Sequence, residues 1–498
     1  MPPEIQKELV ANFLRIAPME SMKYPRIIQG GMGIAISSWK LAREVSQAGG
    51  LGVVSGTSID SVIARRLQDG DVDGSVRRAL LHFPDQGFAT NVLERYFIDG
   101  GRDPNQSYSP VPKLSLHPSE FSAQMLVLSN FVEVWLAKEN HPGLIGINFL
   151  EKIQLATPAS MYGALLADVD YILMGAGIPS EIPRMLRDLV QHQKTDMPIA
   201  VENATQKYRL RFNPDIIDGA SSRTLRKPMF LAIVSSHILA AYLNKDEVTR
   251  PDGFVIEGPS AGGHNAPPRG KTPIGEDGQS LFSEKDSADI EKVRAIGLPF
   301  WLAGGYSTPE KVQEAIDAGA RGVQVGSIFA LSQESGLTQE LRNEVLVKIE
   351  DEKLEVITDP LGSPTSFPFK YVALAGTISD HELFEERRRL CDLGYLRSVV
   401  EKSDGRLAYR CSGEPEKTFL FKEGQPGGTL EKKCLCNALM ANVGMAQHRI
   451  DGYVEPPLIT LGSDQSGEKE LLQRYPHGWS ARQVMDYLVR PSMKVSEF

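Results

Sequence analysis

The stretch "PFWLAGGYSTPEKVQEAIDAGARGVQVGSIF", residues 299–329, contains two short apolar runs that flank one helical pattern. Both runs, "PFWLAGG" and "GVQVGSIF", have the length and the β-branched or aromatic content of a buried strand. Between them, Ser307 or Thr308 can cap a helix, Pro309 suits an early helical position, and Gly319 can end it. Two buried strands joined by a helix predict a parallel β-α-β unit.

The same alternation extends from this unit towards the N-terminus. The candidate strands are "RIIQGGMG" (26–33), "LGVVSG" (51–56), "LIGINFL" (144–150), "YILMGAG" (171–177), "PMFLAIVSS" (228–236), "GFVIEG" (253–258), "PFWLAGG" (299–305) and "GVQVGSIF" (322–329). Eight such units favour an α/β fold of the TIM type, a closed (β/α)₈ barrel. A doubly wound open sheet is the alternative.

Two segments depart from a minimal barrel, which we expect to span residues 1–345. Residues 71–143 form a long insertion with one amphipathic helix, "SEFSAQMLVLSNFVEVWLAKE", and residues 204–227 predict an inserted hairpin or lid. Long loops on barrels are often functional, so we expect both to shape or cover a site; packing on the outer face is the alternative. Residues 346–498 are turn-rich and predict an irregular, cysteine-containing C-terminal extension.

Composition limits the classes of partner. The chain has 498 residues, 41% hydrophobic and 23% charged, with a net charge of -9 that disfavours a nucleic-acid surface. Its start, "MPPEIQKELV", lacks the pattern of a secretory signal, and its longest apolar stretch, residues 228–243, is too short to cross a membrane. We expect a cytoplasmic protein with a small-molecule ligand and no nucleic-acid or membrane partner; a homo-oligomer is left open.

Glycines end several predicted strands at the edge where barrels build their active sites. The loops after the last two strands of a barrel commonly bind phosphate through backbone N–H groups. Here these loops carry Gly304 and Gly305, then Gly326 and Ser327, so the predicted occupant is a phosphate-bearing cofactor. The alternative is that the glycines only make tight turns. The absence of a Walker lysine motif and of a dinucleotide fingerprint disfavours ATP chemistry and a Rossmann nicotinamide site.

Four segments, in chain order, carry a resemblance to a known family. They are "PRIIQGGMG", "GINFL", "DGFVIEGPSAGGH" and "LPFWLAGGYSTPEKVQEAIDAGARGVQVGSIFA". Together they resemble the nitronate monooxygenase family, formerly called 2-nitropropane dioxygenases, which is related to the flavin-dependent enoyl-acyl carrier protein reductases. The resemblance covers about residues 25–335 and continues through "SPTSFPFK". It implies a TIM-type barrel that contains FMN.

The resemblance also implies which residues bind that cofactor. Gly31 to Gly33 would lie at the flavin ring, and Asn148 would approach the ring or the ribityl chain. Glu257 stands where many members have glutamine, which leaves the substrate open; we expect it to bond ribityl hydroxyls or nearby backbone, with an acid/base role as the alternative. The full set of candidates is Gly31, Met32, Gly33, Asn148, Glu257, Gly262, Gly263, Gly304, Gly305, Gln324, Gly326 and Ser327.

His264, directly after two glycines, is the candidate catalytic residue. The resemblance implies a base that removes the proton next to the nitro group of a nitroalkane, whereas a nitronate arrives deprotonated. Imidazole suits this work because its neutral form is available at physiological pH. The implied activity is oxidative denitrification with dioxygen. The alternatives are an NADH- or NADPH-dependent enoyl-thioester reductase, or a flavin-binding protein without turnover in which His264 is a hydrogen-bonded turn residue.

All four cysteines, Cys391, Cys411, Cys434 and Cys436, fall within 46 residues, and the other 452 residues contain none. Their polar surroundings suggest a tetrathiolate zinc or iron-sulfur site. The lack of a C-x-x-C pair favours the alternative, reduced thiols packed in a small extension.

Overall fold

The fold centres on one sheet of eight parallel strands. The computed structural model describes residues 24–270 and 274–490, so the N-terminal decapeptide considered above lies outside the described residues. The strands β1 to β8 are Ile27–Gln29, Gly52–Ser55, Ile145–Leu150, Tyr171–Gly175, Met229–Val234, Gly253–Glu257, Phe300–Ala303 and Gly322–Val325. Their order in the sheet is β1-β8-β7-β6-β5-β4-β3-β2.

The two ends of this sheet meet between β1 and β2. Ile28 forms a parallel bridge with Leu51. The Gln29 N–H donates to the Leu51 carbonyl at 3.0 Å, and the Leu51 N–H donates to the Ile27 carbonyl at 2.9 Å. The sheet is therefore a nearly closed barrel, which confirms the predicted fold and excludes the open-sheet alternative. Each of the eight predicted segments contains one barrel strand.

Side chains fill the barrel interior, so the interior itself offers no ligand site. Trp301 is fully buried there, and its indole N–H donates to the Pro25 carbonyl at 2.7 Å. It packs in one cluster with Ile28, Leu51, Val53, Tyr171, Leu173, Leu231, Val255 and Ala303. A site built by the barrel strands is therefore expected at the rim, where the strands end.

Helices alternate with the strands as the sequence predicts. In Pro309–Asp317, the Thr308 side chain caps the N-terminus by accepting from the Lys311 N–H at 3.3 Å. The helices of this layer are Trp39–Gln47, Ile59–Gln68, Thr157–Leu166, Ile182–Val190, His237–Asn244, Ile290–Ala295, Pro309–Asp317, Ser327–Ala330 and Gln339–Glu350, with short 3₁₀ turns at Gln154–Ala156 and Glu284–Asp286.

The insertion between β2 and β3 contains Ser75–Leu80, Gln86–Tyr96 and Glu120–Lys138. The prediction that its long helix is amphipathic is wrong, because Glu120–Lys138 is buried on most sides, between barrel helices and insertion helices. Its buried Glu133 accepts from the Trp39 N–H at 2.8 Å and pairs with Arg66 at 2.5 Å. The helix Glu120–Lys138 of this insertion is therefore part of the hydrophobic core of the protein.

The segment around residues 204–227 is partly a hairpin. Thr195–Ile199 pairs antiparallel with Tyr208–Phe212, and the 3₁₀ turns Pro214–Ile216 and Ala220–Ser222 follow. Between the hairpin strands, Val201–Glu202 pairs with Ser398–Glu401, which in turn pairs with Leu407–Arg410. The hairpin therefore joins a sheet that the C-terminal extension completes.

The C-terminal extension folds back onto the rim of the barrel. Its strand Phe369–Val372 pairs with Val356–Asp359 on one side and with Gly263–His264 of the barrel on the other. Gln339–Glu350 runs across the predicted boundary at residue 345. The remaining helices are His381–Glu386, Glu416–Phe421, Leu435–Ala441, Ser466–Arg474 and Ala481–Leu488. In the described part of the chain, no helix is long and apolar enough to span a membrane.

Candidate active site

A cavity of about 240 Å³ opens where the barrel strands end. All thirteen residues that the sequence predicts for the site line this one cavity; their roles stay predictions. They are Gly31, Met32, Gly33, Asn148, Glu257, Gly262, Gly263, His264, Gly304, Gly305, Gln324, Gly326 and Ser327.

The loop after β1 is fixed by a buried hydroxyl. Ser37 Oγ donates to the Gly30 carbonyl at 2.9 Å and accepts from the Met32 N–H at 2.9 Å. A Cβ on Gly31 would lie 2.3 Å from the Cβ of Asn148. Only glycine allows these two predicted residues to lie side by side, so this part of the rim presents backbone to the cavity.

The turn after β7 presents bare N–H groups. Gly304 and Gly305 adopt φ values of 84° and 79°, in the left-handed region that favours glycine. A Cβ on Gly304 would lie 2.9 Å from the Gly258 carbonyl oxygen. No protein group in the described ranges accepts from the N–H of Gly304 or Gly305. These N–H groups are free to bind an anion.

Gln324, on β8, lines the cavity and has an unpartnered side-chain oxygen. Its Oε1 is buried and, among the residues the structure describes, has no hydrogen-bond donor. Buried polar atoms in native proteins nearly always have a partner. A hydrogen-bond donor on a ligand would supply one.

His264 is held by the antiparallel pairing of Gly263–His264 with Phe369–Val372. Its Nε2 lies 2.9 Å from Ser363 Oγ, and its ring contacts Phe369 with 4.9 Å between centroids. Burial lowers the pKa of His264 to about 4, because the charged imidazolium loses its hydration. The imidazole is therefore neutral at physiological pH.

Lys370 fixes the chain on both sides of this histidine. Its side chain is buried, and its ammonium donates to the Pro259 carbonyl at 2.6 Å and to Asn265 Oδ1 at 2.9 Å. Burial lowers the pKa of Lys370 to about 8 and raises the pKa of Glu257 to about 7, and the attraction between the two groups opposes both shifts. Lys370 is not among the residues predicted from the sequence, although it lies in "SPTSFPFK", the segment through which the family resemblance continues.

The C-terminal extension supplies much of the remaining wall of the cavity. The sequence did not predict this contribution. A Cβ on Gly262 would lie 2.6 Å from the backbone of Leu461, so barrel and extension meet backbone to backbone. Neither insertion, 71–143 or 204–227, contributes a lining residue. The lining residues from the extension are Phe369, Tyr395, Leu396, Leu435, Cys436, Leu439, Thr460, Leu461, Gly462, Asp464 and Glu468.

Tyr395, which lines the cavity, forms a hydrogen bond with the buried Asp60 behind it. Its hydroxyl donates to the carboxylate of Asp60, which lies in the first turn of Ile59–Gln68. Burial raises the pKa of Asp60 to about 6. The contact ties the extension to a barrel helix.

The four cysteines line a second, smaller cavity. Leu396, Leu435 and Cys436 separate it from the first cavity, since they line both. All four cysteines are free thiols, and burial raises the pKa of Cys434 to about 12. Over residues 24–270 and 274–490, no three His, Cys, Asp or Glu side chains are placed to hold a metal ion. The predicted metal centre therefore has no support there.

A (β/α)₈ barrel with a glycine-rich rim, a buried neutral imidazole and bare turn N–H groups defines a candidate cofactor-binding barrel. A sequence model of the nitronate monooxygenase family matches residues 224–365 of this chain. The match contains β5 to β8, His264 and Ser363, and over this segment it confirms the resemblance predicted from the sequence. A search of curated proteins finds no significant match.

Several solved structures are similar at low identity. FabK from Thermotoga maritima is 18% identical, with 74% of this chain and 79% of that chain covered and a TM-score of 0.41. The nitroalkane oxidase from Streptomyces ansochromogenes is 13% identical, with 95% and 96% covered and a TM-score of 0.41. The enoyl reductase domain of MlnA from Bacillus amyloliquefaciens is 14% identical, with 72% and 66% covered and a TM-score of 0.37.

Proposed function

We propose that this protein is an FMN-dependent oxidoreductase of the nitronate monooxygenase type, which oxidises nitronates and related carbon acids with dioxygen. One observation carries the proposal: His264 lines the same cavity as the bare N–H groups of Gly304 and Gly305. The family match over residues 224–365 supports it. The proposal includes a cytoplasmic location and a small-molecule substrate, as the composition leads us to expect.

The residues present fit FMN. The N–H groups of Gly304 and Gly305 suit a phosphate, which accepts hydrogen bonds. The unpartnered Oε1 of Gln324 suits a ribityl hydroxyl or a ring N–H, both of which donate. FMN bound there would supply the one-electron and dioxygen chemistry that protein side chains lack.

His264 would act on the carbon acid. Its neutral imidazole can accept the proton next to a nitro group, whereas a pKa of about 4 makes it a weak base. A nitronate needs no such proton transfer, and its negative charge would instead stabilise a protonated His264. We therefore expect nitronates to react faster than the corresponding nitroalkanes.

Oxidation breaks the carbon–nitrogen bond of the nitronate. Two nitronates and one dioxygen give two carbonyl compounds and two nitrite ions, which balances atoms and charge. This chain's own contribution is to hold the imidazole in place, through Ser363 and Phe369, and to exclude water with the wall from the extension.

The visible spectrum of the purified protein tests the cofactor. We expect a yellow protein whose chromophore, released by denaturation, has the mass of FMN. Anaerobic addition of a nitronate should bleach it without NADH or NADPH, and aerobic turnover should release nitrite. Rapid bleaching by NADPH or NADH, with none by a nitronate, would support the enoyl-thioester reductase instead. Failure to bind FMN after reconstitution would reject the proposal.

A further inference from the structure

Glu468 is a buried acid without a partner. Its residue is 1% exposed, it lines the cavity, and neither carboxyl oxygen has a hydrogen-bond partner among the residues described. Burying a polar group without a partner is costly, so such groups in native proteins point to an absent ligand or ion.

The helix Ser466–Arg474 holds Glu468 against the loop that follows β7. The N–H of Gly467 donates to Ser307 Oγ at 3.3 Å, and a Cβ on Gly467 would lie 2.2 Å from the Ser307 carbonyl oxygen. This close backbone approach places Glu468 beside the loop that begins with Gly304 and Gly305, although the two segments are far apart along the chain.

Asp464 faces the same turn. Its Oδ1 accepts from the N–H of Ser466 at 3.0 Å and from its hydroxyl at 2.6 Å. Its Oδ2 lies 3.2 Å from the position that a Cβ on Gly305 would take. Asp464 therefore adjoins the turn to which the proposed function assigns a phosphate, and its negative charge also acts on the nearby Glu468, whose pKa it helps to raise.

Over the described ranges, no basic side chain forms an ion pair with either of these carboxyl groups. Among the described lining residues there is no lysine or arginine. The nearby Lys311 forms an ion pair with Glu314 at 2.8 Å, and it acts on Asp464 only at longer range. A phosphate dianion beside two carboxyl groups requires positive charge, since like charges in a partly desolvated site repel strongly. A proton on Glu468 would remove only one of these charges.

We propose that Asp464 and Glu468 bind a divalent cation of the Mg²⁺ class together with the phosphate of the flavin. This inference rests on the proposed function. Mg²⁺ is typically bound by one or two carboxylates plus phosphate oxygens and waters. The protein alone supplies two carboxylates, so the site is complete only when the phosphate is present. This agrees with the lack of a three-residue metal group in the described chain.

Flavin affinity measured with and without Mg²⁺ tests the proposal. The protein freed of flavin is titrated with FMN, or with riboflavin, which lacks the phosphate, and flavin fluorescence is followed. With EDTA replaced by excess Mg²⁺, we expect FMN to bind about tenfold more tightly or better, while riboflavin binding stays the same. Glu468→Gln and Asp464→Asn should each abolish the Mg²⁺ effect.

Glu470→Gln is the matched control. Glu470 lies on the same helix, outside the cavity, and its carboxylate accepts from the Tyr487 hydroxyl at 2.9 Å. It should keep the full Mg²⁺ effect. If Glu468→Gln fails to fold, Asp464→Asn alone tests the cation site. Asp464 is only half-buried, so its substitution should disturb folding less.

Each outcome bears on one of the two proposals. FMN binding that is insensitive to Mg²⁺ overturns the cation site and leaves the flavin proposal intact. A Mg²⁺ effect that persists in both carboxyl variants, or that riboflavin shares, also overturns it. Failure of the wild-type protein to bind either flavin under any condition overturns the proposed function, and the cation site with it.

Discussion

Two buried ionisable side chains that line the cavity, His264 and Glu468, have different surroundings. We call the part around His264 and Ser363 the histidine end, and the part around Gly304, Gly305 and Asp464 the glycine-turn end. Burial makes both groups neutral, since it lowers the pKa of the imidazole to about 4 and raises that of the carboxyl to about 8. They differ in their partners: Ser363 is within hydrogen-bond distance of the imidazole, while no described residue forms a hydrogen bond with the carboxyl group of Glu468. The protein itself supplies a hydrogen-bond partner for His264, whereas among the described residues none is supplied for Glu468.

The largest expected effect is at the histidine end. His264→Ala should lower kcat for a neutral nitroalkane by about 10²- to 10⁴-fold, the usual contribution of a general base. Turnover of the corresponding nitronate should fall much less. Steady-state kinetics with both substrates checks this, with the visible spectrum reporting retained flavin. His477→Ala, at an exposed position, is the control. Equal losses for the two substrates would contradict a role as base.

At the glycine-turn end, Gly304→Ala should weaken FMN binding about tenfold. Alanine at this φ of 84° costs about 1–2 kcal/mol, and its Cβ would lie 2.9 Å from the Gly258 oxygen, so the turn must shift. Gly297→Ala is a matched control, because Gly297 has a φ of 83° but nothing within 4 Å of the new Cβ. Fluorescence titration of both variants measures the difference. Equal FMN affinity in the two variants would contradict the assignment of the Gly304–Gly305 turn to the phosphate site.

A pH-dependent effect on stability should distinguish Glu468 from its neighbours on the helix. Its pKa rises from 4.5 to about 8 on folding, so the folded state retains a proton that the unfolded state releases between these values. Glu468 should therefore contribute a loss of stability to the flavin-free protein in EDTA as pH rises through this window, and Glu468→Gln should remove this contribution. The contributions from the raised pKa values of Asp60 and Glu257 should remain in both proteins. Thermal unfolding across the window measures it, with Glu470→Gln as the control. A variant-to-wild-type difference that is constant with pH would contradict the shifted pKa.

The smallest expected effect is the loss of the histidine's own partner. Ser363→Ala removes the hydroxyl 2.9 Å from Nε2, and one hydrogen bond of about 1 kcal/mol corresponds to a roughly fivefold lower kcat for nitroalkanes. The FMN affinity should not change. Ser366→Ala, in the same loop but exposed, should leave kcat unaltered. An equal loss in both variants would indicate a general disturbance of the loop.

The barrel could be predicted from the sequence, because parallel strands buried on both faces are continuous apolar runs. The segment 299–305 contains β7, and the glycines after it indicate the rim. The wall from the extension could not be predicted. Glu468 lies in the polar helix "SGEKELLQR", where nothing local distinguishes it from Glu470. The pairing of Gly263–His264 with Phe369–Val372 likewise joins segments that carry no local signal for each other.

The backbone contact between Gly262 and Leu461 also bears on how the protein is made. A ribosome releases the eight barrel strands long before residues 461 to 468, which close the cavity. A nascent barrel can therefore collapse around its core while it still lacks part of the wall of the cavity. If the proposed function is right, flavin would be loaded only after the last helices leave the exit tunnel, and truncated translation products would be colourless even where their barrel is folded.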